Sequence, residues 1–294
     1  MVDSYRFFDT VVKHRIVLSP SMVRFVFTGE DVAGMAFPGP DQRIKMFFPE
    51  QAGQRPELPR GPDWIAAFRA LDDASKPAMR TYTIRALRAD VAEVDIDFAV
   101  HGNIGPASRW ALEAKEGDPM VLFAPDARAE HDSRGYEWHP PQDVDRVLIV
   151  ADESALPAVA SILDHIAASP SRPRIEALIE VPTEADRLPL AALEGLSVRW
   201  LPRDHAYDYG QRLLEALRDV PLPRHDVDAA VTDIDVDNDI LWEQASGGDG
   251  AFYAWIAGEA AAVLDIRRHL VNERGVDRKA MNLMGYWRKG RSLD

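Results

Sequence analysis

The apolar residues of this 294-residue chain follow different patterns before and after about residue 140, and this change constrains the fold more than any other feature. In the first half, short runs with a period of two, such as 23–27, lie between Gly- and Pro-containing turns. In the second half, continuous apolar runs such as 146–150 alternate with helical patterns. The first pattern is typical of a small antiparallel β-barrel and the second of a parallel α/β sheet. We therefore predict two domains, residues 1–140 and residues 141–294.

The individual elements follow from the same periodicities. The predicted strands are 23–27, 44–48, 80–87, 92–100 and 120–123 in the barrel, and 146–150, 175–181, 197–201, 252–257 and 281–287 in the sheet. Helices are predicted after Gly105 and at 156–168, 209–220 and 260–274. The Pro-rich residues 50–79 predict a long excursion from the barrel, and the Asp-rich residues 221–250 a solvated loop or insertion.

The composition restricts the chemistry. The absence of cysteine excludes disulfides, thiolate zinc sites and cysteine-ligated iron–sulfur clusters, so any electron transfer requires a bound organic cofactor. The net charge of -14 disfavours nucleic acid as a partner. No apolar run approaches the roughly 18 residues that span a bilayer, and the N-terminal residues lack the pattern of a secretory signal. We therefore expect a cytoplasmic protein with no membrane partner.

Residues 80–85, Arg-Thr-Tyr-Thr-Ile-Arg, carry a mixture of side chains suited to a flavin dinucleotide. Alternate side chains of a strand share a face, so Arg80 and Tyr82 can project together while Thr83 points the other way. Arg80 and Arg85 would supply cations for the pyrophosphate, Tyr82 an aromatic face, and Thr83 a hydroxyl near the reactive ring nitrogen. The alternative is a basic edge strand with no ligand.

A second segment, about twenty residues further on, has the form strand, glycine turn and helix. The first amides of a helix point outward without partners, and the helix dipole favours negative charge, so this turn predicts an anion site. Many glycine turns only reverse the chain, which remains the alternative. The residues of this predicted site are His101, Gly102, Gly105, Ala107 and Ser108.

These two segments together resemble the siderophore-interacting protein family, the FAD-dependent ferric-siderophore reductases of the ferredoxin-reductase-like superfamily. Three further stretches match in family order: Arg43–Pro49, Ala151–Ala158, and the C-terminal Trp255–Glu259 with Gly285–Gly290. The matching stretches span nearly the whole chain. The resemblance implies an FAD-binding barrel, an α/β domain that binds NADPH or NADH, and a ferric siderophore or similar Fe(III) chelate as partner.

In open α/β sheets, ligands bind beyond the carboxyl ends of the strands, and polar residues follow several predicted strand ends here. The resemblance assigns the turn after 146–150 and the turn after 252–257 to the nicotinamide nucleotide, although both could be plain helix starts. The predicted nucleotide-binding residues are Asp152, Glu153, Ser154, Ala155, Glu180, Arg203, Gly258 and Glu259. Because an acid can bind a ribose diol and an Arg can accept a 2′-phosphate, Glu180 and Arg203 leave the choice between NADH and NADPH open, with Arg203 favouring NADPH.

A negatively charged protein that binds an anionic chelate needs local cations. Lys45 interrupts an otherwise apolar strand, and the resemblance places a basic residue of the siderophore pocket there. Arg128 follows the 120–123 strand, and Trp287, Arg288 and Lys289 lie near the C-terminus. For each cation, the alternative is a solvated surface side chain.

The function that this sequence predicts is FAD-dependent reduction of ferric siderophores by NAD(P)H. This chemistry requires no general acid–base pair and no resident metal, and we assign neither. Two alternatives remain open: a general flavin reductase with another acceptor, and a siderophore-binding protein without catalysis.

Overall fold

The structure, a computed structural model, describes residues 4–51, 53–73, 76–100, 102, 105–131, 133–224, 241–247 and 250–290. The chain divides into two compact units, the first ending at Tyr136 and the second beginning at Glu137.

The first unit is a closed antiparallel barrel of six strands in the order β1-β2-β5-β4-β3-β6. Its strands are β1 (Tyr5–Ser19), β2 (Met22–Thr28), β3 (Arg43–Phe48), β4 (Ala78–Arg88), β5 (Glu93–Ala99) and β6 (Pro119–Pro125). The predicted barrel is therefore confirmed. The longest strand, β1, was not predicted, because residues 13–17 are exposed on both faces and show no period of two.

Two short helices pack against this barrel from different sides. Within the excursion predicted at 50–79, α1 (Trp64–Arg69) packs Trp64 and Phe68 against Phe47, outside the barrel core. In contrast, α2 (Pro106–Glu113) places Trp110 in the core itself, with its ring centroid 4.9 Å from that of Phe25. The apolar face of α2 thus fixes this helix to the barrel.

The second unit contains a six-stranded sheet in the order β10-β12-β11-β7-β8-β9. Its strands are β7 (Arg146–Ala151), β8 (Arg174–Val181), β9 (Leu196–Pro202), β10 (Trp242–Glu243), β11 (Phe252–Glu259) and β12 (Met281–Trp287). All neighbours are parallel except β10, which pairs antiparallel with β12. The predicted α/β class is confirmed, with this one antiparallel edge strand added.

The helices of this unit are α3 (Leu156–Ala168), α4 (Gln211–Leu217) and α5 (Ala260–Arg268). The helix predicted at 260–274 is α-helical only to Arg268 and continues as one π-helical turn, His269–Glu273. The loop predicted at 221–250 is wrong at its end, because Leu241 is buried and the next two residues form β10. Residues 225–240 lie outside the described residues. Within the described parts of the chain, no helix is long and apolar enough to cross a membrane.

Candidate functional site

In the barrel, β4 presents Arg80 and Tyr82 on one face, opposite Met46 and Ile44 of β3. The Tyr82 ring packs 4.3 Å from the Phe98 ring, between centroids. Burial raises the pKa of the Tyr82 hydroxyl well above its usual range, so this group stays protonated at all physiological pH values. Arg80 donates from Nη1 to the Met79 carbonyl at 2.7 Å. The aromatic ring and the cation predicted for the flavin therefore share one side of the strand.

Thr83 and Arg85 have different surroundings from Arg80 and Tyr82. Thr83 lies opposite Arg43 in the register of β3 and β4 and is only 6% exposed. Arg85 lies at an irregularity in the pairing of β4 with β5, between Ile84 and Ala86. Because a bulge re-aims side chains, the direction of Arg85 does not follow from simple alternation.

Among the described residues, no side chain caps the start of the α2 helix. Gly105 is its N-cap with φ +83°, and Pro106, which has no amide hydrogen, occupies the first turn. A Cβ on Gly102 or Gly105 would meet no atom of the described residues within 4 Å, so positive φ, rather than crowding, is what favours glycine at these two positions. Ala107 and Ser108 follow in the first turn, half-buried. His101 lies outside the described residues.

These features fit a dinucleotide. The α2 helix packs against β3, β4 and β5, so its uncapped end belongs to the side of the barrel that β4 helps to form. Free helix amides and an arginine are donors suited to a pyrophosphate, and a half-buried aromatic ring is suited to a flavin or a sugar. In addition, the indole nitrogen of Trp110 is buried and has no hydrogen-bond partner in the described part of the chain. The residues present are therefore chemically compatible with FAD.

The two cations predicted for the substrate in this unit are held in different ways. Lys45 is half-buried and donates from Nζ to the Thr81 hydroxyl across β3 and β4 at 2.7 Å. Arg128 forms a two-pronged ion pair with Asp126, with Nη2 2.7 Å from Oδ2 and Nε 3.0 Å from Oδ1. The charge of Arg128 is thus largely matched within the protein, and its guanidinium holds the pKa of Asp126 below its usual value.

At the carboxyl edge of the sheet, the buried carboxylate of Asp152 connects three strand ends. Oδ2 accepts from the Glu259 backbone at 2.8 Å and from the Trp287 indole at 2.9 Å, while Oδ1 accepts from the Ser154 backbone at 2.9 Å and from the Ser154 hydroxyl. A Cβ on Gly258 would lie 2.8 Å from Oδ2. Burial, followed by the charge of Glu153, raises the pKa of Asp152.

Ser154 does not cap the helix that follows it. The N-cap of α3 is Ala155, and the Ser154 hydroxyl donates to Asp152. In the described part of the chain, no side chain caps the first amides of α3, which leaves them suited to a phosphate.

Arg203, directly after β9, lies between two buried glutamates. Its Nη2 and Nη1 donate to Glu153 at 2.6 and 2.7 Å, and Nη1 also lies 3.2 Å from Glu180. Its guanidinium carbon is 4.0 Å from the centre of the Tyr209 ring. Burial raises the pKa of Glu180, although the Gly210 amide and Arg203 both donate to it.

The C-terminal residues predicted for the substrate join this same network. Glu259 caps α5 through the Ala262 amide at 3.0 Å and also accepts from Arg288 at 3.2 Å and from the Lys289 amide at 3.1 Å. Trp287 is fixed by Asp152, as described above. Residues predicted to bind the nicotinamide nucleotide and residues predicted to bind the substrate therefore share one hydrogen-bond network in the structure.

Sequence reasoning missed two residues at these sites. Arg43 lies two residues before Lys45 on the same face of β3, so the period of two was a usable signal. Tyr209 packs edge-on against Trp287, with centroids 4.8 Å apart, and its pKa is raised to about 12, mainly by burial. Nothing in the local sequence indicates this contact, because Tyr209 and Trp287 are far apart in the chain.

A model of the siderophore-interacting FAD-binding domain matches residues 11–129, and a model of the siderophore-interacting protein matches residues 144–290. The chain belongs to the siderophore-interacting protein family. The predictions of this family, of FAD as a cofactor and of an oxidoreductase are thereby confirmed.

Individual relatives cover nearly the full chain. The ferric vibriobactin reductase of Vibrio cholerae is 29% identical over 289 residues, which are 98% of this chain and 90% of that protein. The NADPH-dependent ferric-chelate reductase of Escherichia coli is 26% identical over 285 residues, 96% of this chain and 93% of that protein. The crystal structure of a siderophore utilization protein from T. fusca superposes with a TM-score of 0.75 at 30% identity, covering 100% of this chain and 97% of that chain.

Proposed function

We propose that this protein reduces Fe(III) held by a siderophore or a similar chelator, taking electrons from NADH or NADPH through bound FAD. The observation that carries the proposal is the uncapped N-terminus of α2, on a helix that packs against the strand bearing Arg80 and Tyr82. The family membership and the names of two full-length relatives, both ferric reductases, support it.

On this proposal, the barrel binds the flavin. Arg80 and the first amides of α2 hold the pyrophosphate, with Ser108 as an additional donor and Arg85 as an additional cation. Tyr82 lies against the flavin or its sugar chain, and Thr83 donates a hydrogen bond to the ring. Bound FAD would supply a redox group able to take electrons in pairs from a nicotinamide and to give them singly to iron, so the residues of this chain would hold and orient it without a protein acid–base pair.

The α/β unit binds the nicotinamide dinucleotide at the carboxyl edge of its sheet. The uncapped amides of α3 receive a phosphate, while Gly258 allows the backbone of β11 to approach the ligand closely. Asp152 positions Trp287 and the start of α5, and therefore shapes this edge rather than reacting.

The acceptor is an anionic Fe(III) chelate, for which Lys45 and Arg43 supply positive charge on one face of β3. Arg128 contributes less, because Asp126 neutralises it. Arg288 and Lys289 are further candidates on the second unit. A cytoplasmic site of action stays a prediction, which cell fractionation would test.

A visible absorption spectrum of the purified protein tests the proposal. We expect a flavin spectrum that bleaches on anaerobic addition of NADH or NADPH and returns when a ferric siderophore is added, with Fe(II) trapped by a colorimetric chelator. Return of the spectrum with oxygen or quinones, but with no ferric chelate, would indicate a general flavin reductase. A colourless protein that binds ferric siderophores and does not retain added FAD would indicate a binding protein.

A further inference from the structure

Two neighbouring strand ends of the α/β unit carry the residues that distinguish NADH from NADPH. β8 and β9 are parallel neighbours, with Val181 opposite Pro202. Glu180 is the penultimate residue of β8, and Arg203 directly follows β9. In nucleotide-binding sheets of this type, an acid near such an end binds the ribose diol of NADH, whereas an arginine accepts the 2′-phosphate of NADPH. Whether Arg203 can contact a 2′-phosphate therefore decides which of the two nucleotides the protein selects.

The guanidinium of Arg203 already makes hydrogen bonds to side chains of the protein. Both of its terminal nitrogens donate to Glu153, and one of them also donates to Glu180. One face of the guanidinium lies against the Tyr209 ring, and only 7% of the side chain is exposed. A phosphate binds an arginine most strongly through a two-pronged contact, and Glu153 already holds both terminal nitrogens of Arg203. Binding a 2′-phosphate at these nitrogens would require breaking a buried ion pair.

The surrounding charge also opposes a 2′-phosphate. Asp152, Glu153 and Glu180 are each no more than 3% exposed, and Arg203 is the cation that contacts two of them. In addition, Oε2 of Glu180 is buried and has no hydrogen-bond partner among the described residues. Buried carboxylates are weakly screened, so they repel a dianion more strongly than exposed ones do. A 2′-hydroxyl is neutral, donates hydrogen bonds and meets no such repulsion.

We propose that Glu153 and Glu180 make this enzyme select NADH over NADPH, by occupying Arg203 and by placing negative charge where the 2′-phosphate would lie. The proposal rests on the proposed function, since it assumes that the α/β unit binds a nicotinamide dinucleotide. It reverses the preference for NADPH that Arg203 indicates in the sequence alone. Glu153 acts here as a positioning residue for Arg203.

The test compares nucleotides that differ only in the 2′-phosphate. With the FAD-loaded protein, we expect kcat/KM for anaerobic flavin reduction to be about tenfold higher with NADH than with NADPH. By calorimetry, 5′-AMP should bind more tightly than 2′,5′-ADP to the same protein. Glu153→Gln keeps the shape of the side chain and removes its charge, so it should lower the NADH-to-NADPH ratio by about fivefold.

The ratio separates selection from structural damage, because damage to the fold affects both nucleotides alike. Glu176→Gln is the matched control, because it removes a charge from β8, the strand that also carries Glu180. Glu176 pairs with the half-exposed Arg199, so this variant should leave the NADH-to-NADPH ratio unchanged. Glu180→Gln is a second variant, and it should also lower the NADH-to-NADPH ratio. Equal use of both nucleotides, a preference for NADPH, or an unchanged ratio in both variants overturns the inference while leaving the proposed function intact. Reduction by neither nucleotide overturns the proposed function itself.

Discussion

The cations of the two units differ in their burial. In the barrel, Arg80 and Lys45 are half-buried, and Arg80 donates to a backbone carbonyl while Lys45 donates to a threonine hydroxyl. At the edge of the α/β sheet, Arg203 and its two glutamate partners are more than 90% buried and form ion pairs. A ligand can compete for the first kind of cation at little cost, whereas the second kind belongs to the fold. We expect substitution of the two barrel cations to affect ligand binding, and substitution of Arg203 to affect stability.

The largest effect should come from breaking the buried ion pair. Arg203→Ala leaves Glu153 and Glu180 without their cation in a buried site and should lower the free energy of unfolding by about 3 to 5 kcal/mol. Chemical denaturation followed by circular dichroism measures this. Arg268→Ala is the control, because its pair with Asp265 is half-exposed and contributes less than about 1 kcal/mol. If the two variants had equal free energies of unfolding, the buried ion pair would contribute no more to stability than the half-exposed one.

The next effect is on flavin retention. Arg80→Ala removes a charged donor from the proposed pyrophosphate site, and such hydrogen bonds contribute about 1.5 to 3 kcal/mol, so FAD should bind about tenfold to a hundredfold more weakly. Fluorescence titration of the apoprotein with FAD measures the change, and the stability of the apoprotein should be nearly that of the wild type. Arg80→Lys should recover only part of the affinity, because lysine lacks the planar fork. Full flavin occupancy of Arg80→Ala would remove this residue from the site.

A smaller effect is expected for the acceptor. Lys45→Ala removes one partly exposed charge, an attraction of about 1 kcal/mol, so the Kd for an anionic ferric chelate should rise about fivefold. Reduction of the flavin by NADH should keep its wild-type rate, and the effect should shrink as salt is added. A neutral ferric chelate serves as the control ligand. If anionic and neutral chelates respond alike, the charge of Lys45 plays no part in recognition.

The smallest effect concerns acid stability of the barrel. Arg128 lowers the folded-state pKa of Asp126 below its ordinary 3.8, so the ion pair stabilises the fold above that pH. This contribution is lost as the pH falls through the lowered folded-state value, where Asp126 becomes protonated in both states. The stability difference between the wild type and Arg128→Ala should therefore be present at pH 7 and shrink progressively as the pH falls below 3.8. Denaturation curves at a series of pH values would show a constant difference if Asp126 were not involved.

The strands and helices whose side chains follow one regular period could be predicted from the sequence. The alternating residues of β5 and the continuous apolar run of β7 predict their strands correctly, and α3 was predicted with its observed bounds. β1 was missed because its second half is exposed on both faces, which removes the signal that burial imposes on a strand.

The positions of the candidate site residues relative to the strands follow from the sequence, but the partners of these residues do not. The sequence identifies Glu153, Glu180 and Arg203 as polar residues near strand ends. It does not show that two of them neutralise the third, because this pairing depends on the spatial order β7-β8-β9 and on side-chain directions. The contact between Asp152 and Trp287 joins residues more than a hundred positions apart for the same reason. Long-range pairing therefore changed the interpretation of Arg203 from a ligand contact to a neutralised cation.

The close approach of Gly258 to Asp152 has an evolutionary consequence. Any side chain at position 258 would begin 2.8 Å from the carboxylate oxygen that holds both the β11 turn and the Trp287 indole. The two positions cannot vary independently: a lineage that gains a side chain at 258 must first shorten or lose the one at 152, and with it the anchor of the C-terminal tryptophan. Among related sequences, we therefore expect these three positions to change together or not at all.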